Sequence, residues 1–431
     1  MTRQEVPLLI FANINNDTMM DRSMTELAQR AARQTPRKVW LARPGDVVVT
    51  PQPVSTELFG HACTVLGMRP SQISLVSPGS YSGRPLAESV RADGPWALLR
   101  RLVGERPRAR LLPYAVDHPT MDCAEALGVP IEPYGADGIS PSAWEAIERL
   151  NGKDGFRAVA REIGVPVPDG QVCADRRRLR RAVGELAGSP LVVKPLRAAS
   201  GHGLLFLSRT GTPRVRARLD AYLDAYLDEH RGQPAGWVVE QCIAPAHDVS
   251  VQVEVEREGP RAVFDGRMRI EDGSFHGYLS PLDAPAAVRA ELADIGLRFG
   301  RYLADRGYLG PLSVDARLTG SGRLYAIETN VRRTGTTTMH QLVQRLTRHA
   351  APPARTWLAD SRAGAFRGPF GEALSRLRAL GLAYDPGLGE GALLTNDTVR
   401  ADGRWNYLVM GAGRERVEEL AGGVRTALRL R

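Results

Sequence analysis

Apolar and polar positions alternate along this chain in two different rhythms. Over the first 140 residues, short apolar runs fall at 7–14 (PLLIFANI), 38–42 (KVWLA), 46–50 (DVVVT), 72–77 (QISLVS), 109–116 (ARLLPYAV) and 129–135 (VPIEPYG). Stretches with helical spacing lie between them, at 23–33, 96–103 and 121–127. Strands that alternate with helices predict an open α/β sheet. Two further helices are expected within 142–173, meeting at Asn151-Gly152-Lys153 and closed by the breaker series Gly164-Val-Pro-Val-Pro.

Residues 175–245 read as helix, strand (PLVVKPL), glycine-rich loop, strand (GLLFLS), a helix over 214–230 and a strand (GWVVEQCI). From 248 the rhythm changes to long strands of period two: DVSVQVEVE, RAVFDGRMRI, LSVDARL and RLYAIETN, with one helix at about 286–305. The tail, 370–431, reads helix, strand, strand, helix. The expected class is therefore α/β (α+β) in three parts: 1–140, 141–350 with a smaller lid-like unit at about 175–245, and 351–431.

Composition narrows the function classes. The 431 residues are 43% hydrophobic and 24% charged, ordinary globular material, and no run approaches the roughly 20 apolar residues of a membrane span. The apolar stretch near the N-terminus is only a few residues long and reads as a first strand, not a signal peptide. Cys63, Cys123, Cys173 and Cys242 are far apart with no CxxC pair, and are expected as small buried hydrophobes in a reducing cytoplasm. The net charge of +9 raises nucleic-acid binding. The basic residues are spread along the chain, however, and no aromatics interleave with them as single-strand binders require. The charge suits an acidic substrate or a nucleotide instead. Of the 57 basic residues only three are lysine, at 38, 153 and 194. In so arginine-rich a chain, a retained lysine marks a place that wants a compact ammonium.

Candidate chemistry gathers at RLYAIETNVRRTGTT (323–337), where Glu328, Asn330 and Arg332 stand at alternate positions and share a face. The preceding strand carries Asp315, and the short turn TGSGR makes the two strands antiparallel neighbours, so Asp315 can lie opposite Glu328. Facing carboxylates destabilise a sheet unless a cation lies between them, and Asp, Glu and Asn oxygens suit Mg²⁺. Lys194 sits on a strand followed by Ser200-Gly201-His202-Gly203, where glycines would let backbone N–H groups approach phosphate; a plain β-hairpin is the alternative. The strand end Glu240-Gln241-Cys242-Ile243 could pair with an adenine edge and Asp248 with ribose, or both acids could belong to a solvated loop. Arg267 and Arg269 alternate on another strand, and His276 falls in a glycine-flanked turn.

In this order of parts the chain resembles the ATP-grasp superfamily of carboxylate–amine ligases. More narrowly it looks like the pheganomycin-type peptide ligases, through LPYAVDHPTMDCAEALGVPIEPYG (112–135) and the unit that follows ETNVRRTGTT. The resemblance implies a pre-ATP-grasp domain over 1–140, two α+β subdomains clamping ATP over 141–350, and a small C-terminal extension. It further implies ATP with Mg²⁺ (Mn²⁺ as an alternative), and amide formation between a small carboxylic acid and the amine of a peptide or amino acid through an acyl phosphate, in the making of peptide natural products. Lys153 and Lys194 would contact phosphates, and Glu240 to Ile243 and Asp248 would hold adenine and ribose. Asp315, Glu328 and Asn330 would take the metal, and the loop Ser200–Gly203 would close as a lid. Arg332 would face the γ-phosphate and the carboxylate, and Arg267 the phosphates or the tetrahedral oxyanion. Arg333 would be either a carboxylate clamp or a surface residue. The C-terminal unit is left open between covering the site and forming a homodimer. Two other readings are a ligase of simple L-amino acids and a basic nucleic-acid-binding protein with a nucleotide fold; no nucleic acid or membrane partner is expected.

Overall fold

The computed structural model describes residues 6–431 apart from 17, 20–24, 80–82, 93, 187, 197–202, 209–211, 230–235, 245, 272–273 and 349–354. Strands β1 (Leu8–Phe11), β2 (Val47–Val49), β3 (Ser74–Val76) and β4 (Arg110–Pro113) form a parallel sheet in the order β3-β2-β1-β4. The fully buried Val-Val-Val of β2 is what a parallel strand covered on both faces requires. Two expected strands do not join this sheet. Residues 38–42 lie in and just after a 3₁₀ turn, Pro36–Leu41, opened by proline. Its Val39 and Trp40 bury themselves under the C-terminal part, with Trp40 Nε1 donating to Thr395 O at 3.0 Å. In 129–135 only Ile131 bridges to the sheet, because Pro130 and Pro133 lack the N–H a strand needs.

A second sheet, antiparallel, runs β5 (Gly170–Cys173), β6 (Leu191–Pro195), β7 (Leu205–Leu207) and β8 (Trp237–Gln241) in the order β5-β8-β6-β7. One face carries Leu191, Val193, Trp237 and Val239 against Leu179, Val183, Leu219 and Leu223 of the helices at Arg176–Glu185 and Pro213–Glu229. Lys194 and Glu240, one step out of phase with these, look out of the other face.

The largest sheet has eight antiparallel strands. These are β9 (His247–Glu256), β10 (Gly259–Glu271), β11 (Ser274–Ser280), β12 (Gly310–Leu318), β13 (Leu324–Asn330), β14 (Thr356–Ala363), β15 (Gly391–Asn396) and β16 (Arg404–Gly411), in the order β13-β12-β9-β10-β11-β14-β16-β15. The C-terminal strands thus extend the central sheet instead of making one of their own. His276 lies within β11, not in a turn, and Arg404 donates to its Nδ1 at 2.6 Å. The neighbouring Gly277 serves close approach, since a Cβ there would stand 2.6 Å from Asp360 Oδ1. On one face of β9, Val249, Val251, Val253 and Val255 join the core with Leu292, Ile295 and Phe299 of the helix Ala286–Ala304. Asp248, Ser250, Gln252 and Glu254 face the other way, and that polar strip is the floor of the candidate site.

Candidate active site

The strand pairing sets Asp315 directly opposite Glu328, and Ser313 opposite Asn330. On β13, Leu324 and Ala326 belong to the core, yet Glu328 and Asn330, in the same parity, face away from it. A bulge at Ile327 makes the switch: Ala326 pairs with Ala316 but Glu328 with Asp315, and one extra residue turns the rest of the strand over. Ser313 Oγ donates to Asp315 Oδ1 at 3.1 Å, Asn330 Nδ2 donates to Asp315 Oδ2 at 3.3 Å, and Arg332 donates to Asn330 Oδ1. Burial, reinforced by the Glu328 charge, pushes the Asp315 carboxyl up to about 7. Two half-buried carboxylates and an amide converge here, a set of oxygen donors of the kind that suits a hard divalent cation.

Lys153 joins this group to the second sheet. It opens the helix Lys153–Glu162 directly after the helix Pro141–Asn151, and the two meet so closely that a Cβ on Gly155 would stand 2.0 Å from Arg149 O. Burial lowers the Lys153 pKa; Glu328 and Glu240 counter this, while Lys194 and Arg332 add to it. One ammonium therefore feels both the carboxylate pair and the Lys194 cluster. In that cluster Lys194 Nζ lies 2.5 Å from Glu240 Oε1, and Arg157 Nη1 lies 2.6 Å from Glu240 Oε2, all three side chains being buried. The Glu240 side chain is thus an internal counter-ion and not a free acceptor.

The rest of the expected nucleotide strand is also occupied in part. Gln241 N donates to Asp169 O, Cys242 N to Pro190 O and Ile243 N to Gln241 O. Ile243 O accepts from Arg317 Nη1 at 2.6 Å, and the same arginine lies 3.4 Å from Asp248. Burial raises the Asp248 pKa, opposed by Arg317 and Arg267. Gly203, at φ 70°, accepts from the Tyr222 hydroxyl at 2.8 Å. Ser200, Gly201 and His202 lie outside the described residues.

The three arginines separate. Arg332 Nη1 reaches Asn151 Oδ1 at 3.0 Å and stays beside the carboxylates. Arg333 is no surface residue: it is half-buried, its N–H donates to Tyr114 O and its Nη1 to Gln341 Oε1 at 2.9 Å. Arg267 shares a row with Val249 and Ala316, on the face opposite Asp315, so it does not point at the carboxylate pair. Arg269 is on that face too and bonds Asp360 and Glu271. The bulge at Val263 in β10 fixes which face each takes, and no sequence pattern announces it. Sequence reasoning also passed over Asn151, which accepts from Val331 N and Arg332, and Arg157 and Arg317, the partners of Glu240 and Asp248. Asn151 stood in plain view beside Gly152-Lys153 at the helix junction. The two arginines carried no signal among so many.

Comparison with known proteins bears on the fold. Residues 35–129 match the model of the Pre ATP-grasp domain, and 372–424 that of the PGM1 C-terminal domain. An L-propargylglycine–L-glutamate ligase of Streptantibioticus cattleyicolor is 25% identical over 285 residues, 61% of this chain and 56% of the relative, so the match spans little more than half of that protein. An L-amino acid ligase from Bacillus licheniformis superposes with TM-score 0.59 at 15% identity, covering 100% of this chain and 99% of that one. The biotin carboxylase domain of the Hydrogenobacter thermophilus 2-oxoglutarate carboxylase, solved with Mg-ADP and bicarbonate, superposes with TM-score 0.61 at 13% identity over 99% and 91%. The chain has the ATP-grasp fold with a pre-ATP-grasp domain in front of it, and its resemblance to the ATP-grasp carboxylate–amine ligases stands. Among the described residues, no helix is long and apolar enough to cross a membrane.

Proposed function

We propose that this protein is an ATP-dependent ligase that joins an amino-acid-like carboxylic acid to the amine of an amino acid or peptide, releasing ADP and phosphate. The observation that carries the reading is the opposed pair Asp315 and Glu328, with Asn330 and Arg332 beside it and Lys153 linking it to Lys194 on the facing sheet. A carboxylate does not condense with an amine in water, because oxide is no leaving group. Phosphorylation by ATP turns that oxygen into phosphate, which leaves when the amine attacks the acyl carbon. Asp315, Glu328 and Asn330 would hold Mg²⁺, which offsets charge on the transferring phosphoryl group. Lys153 and Lys194 supply positive charge to the phosphates from both sides. Arg332, a planar fork held by Asn151 and Asn330, orients the acid. Residues 141–350 then form the clamp, with 175–245 as its lid, and enclosure keeps water from the acyl phosphate.

An amino-acid amine as acceptor is favoured by the names of two similar proteins, the propargylglycine–glutamate ligase and the L-amino acid ligase. A role in natural-product assembly and a peptide acceptor rest on the resemblance of residues 112–135, and of the unit that follows ETNVRRTGTT, to the pheganomycin-type peptide ligases. The test is a coupled ADP-release screen of amino-acid-like acids against amino acids and short peptides, with mass spectrometry of the products. ADP that appears only when acid and amine are both present, with a new amide mass, is the expected result. ATP hydrolysis that ignores both substrates, or affinity for DNA or RNA that falls steeply with salt and no ADP at all, would remove it.

A further inference from the structure

Beside the carboxylate pair lies a row of buried hydroxyls and one amide that the scheme above leaves without a task. Ser250 and Gln252 belong to the polar strip of β9; on β12, Asp315 stands next to Ser250 and Ser313 next to Gln252. Ser250, Gln252 and Ser313 are 1%, 3% and 2% exposed, which obliges each to find a hydrogen-bond partner inside the fold. The helix Gly335–Thr347 reaches the same row with its N-cap. Thr337 N donates to Thr334 Oγ1 at 3.2 Å and Thr334 N to Thr337 Oγ1 at 3.0 Å, a reciprocal cap. Both hydroxyls also touch Gln252 Oε1, at 3.4 and 3.3 Å.

The directions of these bonds follow from where the protons are. Gln252 Oε1 can only accept, so the threonine hydroxyls donate to it, and Gln252 Nε2 donates to Ser250 Oγ at 3.4 Å. A carboxylate that holds a metal is ionised and can only accept, so Ser313 spends its single hydroxyl proton on Asp315 Oδ1 at 3.1 Å. The 3.2 Å contact between the two serines then uses the Ser250 proton. Every bond from the helix cap to Asp315 Oδ1 points the same way. An amide suits position 252 because it accepts on one side and donates on the other, which a carboxylate could not do. Asp315 Oδ2 is reached from the same loop by a second route, from Arg332 to Asn330 Oδ1 and from Asn330 Nδ2 to Asp315 Oδ2 at 3.3 Å. Residues 332–334 thus grip both oxygens of one carboxylate.

We infer that Gln252, acting through Ser250 and Ser313, is a positioning residue for the divalent cation: it fixes the plane of the Asp315 carboxylate and ties it to the loop that orients the acid. The inference rests on the ligase reading. Gln252 does not itself reach the metal. Groups that stand behind a ligand hold its lone pairs in place, and losing one costs about 10- to 100-fold in metal affinity.

The test reads metal binding, not turnover. Free Mn²⁺ is followed by electron paramagnetic resonance as it is titrated into the protein saturated with ADP, with no acid or amine present. Ser313→Ala should raise the Kd for Mn²⁺ about 10- to 100-fold and Gln252→Met about 10-fold, while ADP affinity in EDTA stays unchanged. The double variant should bind Mn²⁺ no more weakly than Ser313→Ala alone, because both changes cut one chain. Effects that add, or an ADP affinity that falls in step, would make Gln252 a packing residue and overturn the inference. Ser250→Ala, a smaller change in volume, interrupts the same chain and decides the matter if Gln252→Met does not fold. Mn²⁺ bound equally by wild type and variants removes the inference and leaves the ligase reading standing. A wild-type protein that binds ADP yet takes up no Mn²⁺ removes the metal assignment, and this inference with it.

Discussion

Lys194 and Arg157 close on Glu240 from two sides at 2.5 and 2.6 Å, whereas among the described residues no carboxylate is in ion-pair contact with Arg37, Lys38 or Arg333. Both sets are covered, and among the described residues only the first has a carboxylate beside it. A buried charge that is paired and hydrogen-bonded belongs to the scaffold, since removing its partner strands it. A buried charge left unpaired weakens the free protein and is worth keeping only for what it later binds. The carboxylate pair Asp315–Glu328 differs again: two acids face each other across strands, with Arg332 and Lys153 near them. The cluster on the second sheet shares one carboxylate between two cations, while the central sheet sets two carboxylates against each other.

The largest effect expected from this contrast is on catalysis. Glu328→Gln keeps the shape and halves the charge of the acid pair, so ADP formation should fall by roughly a thousandfold or more, about 4 kcal/mol of transition-state stabilisation. Tm in the absence of nucleotide should stay level or rise, because like charges facing each other across strands are relieved. Wild-type ADP rates in this variant would remove the metal assignment. A drop in both Tm and activity would make the pair structural.

Next in size is the cluster around Glu240. Glu240→Gln leaves Lys194 and Arg157, 10% and 2% exposed in their side chains, without an anion. Denaturant unfolding should show a loss of about 3–5 kcal/mol, the range for breaking a buried pair by deleting one partner. A loss under about 1 kcal/mol would mean that the two cations find another partner or water, and the distinction between the clusters would blur.

Much of this arrangement was legible in the sequence. Period-two alternation marked the strands that became β9, β10, β12 and β13, and a short polar turn was enough to set Asp315 against Glu328. The misreadings share one cause: a single residue can serve a distant neighbour. Gly277 looks like a turn signal and is a clearance for Asp360; Val39 and Trp40 look like a strand and are a plug under Thr395. The face taken by Arg267 hangs on a bulge at Val263, and the face taken by Glu328 on one at Ile327. One extra residue inverts every side chain after it, and local propensity does not reveal it. Ion-pair partners such as Arg157 are hidden for another reason: with 57 basic residues in the chain, nothing but three-dimensional proximity selects one.

The smallest effect has the opposite sign to that of Glu240 and separates the two clusters most cleanly. Lys38→Met removes an uncompensated ammonium and keeps a flexible stem of similar length beneath Thr338 and Tyr114. The ligand-free variant should be as stable as the wild type or more so by about 1 kcal/mol, since replacing a buried charge by an apolar side chain is neutral or favourable. The pH dependence identifies the cause. The Lys38 pKa in the folded protein lies below its ordinary value of 10.5, so just below that pH the unfolded chain binds the proton that the folded chain has lost. Wild-type stability from this group is fully present above 10.5 and is lost as pH falls toward the folded pKa. Lys153, also lowered by burial, acts in the same direction in both proteins and cancels in their difference. The stability gain of Lys38→Met should therefore be largest near neutral pH and shrink as the pH is raised toward 10.5. A gain independent of pH would trace it to packing. A loss at every pH would show that Lys38 is held by partners inside the fold, as Lys194 is by Glu240.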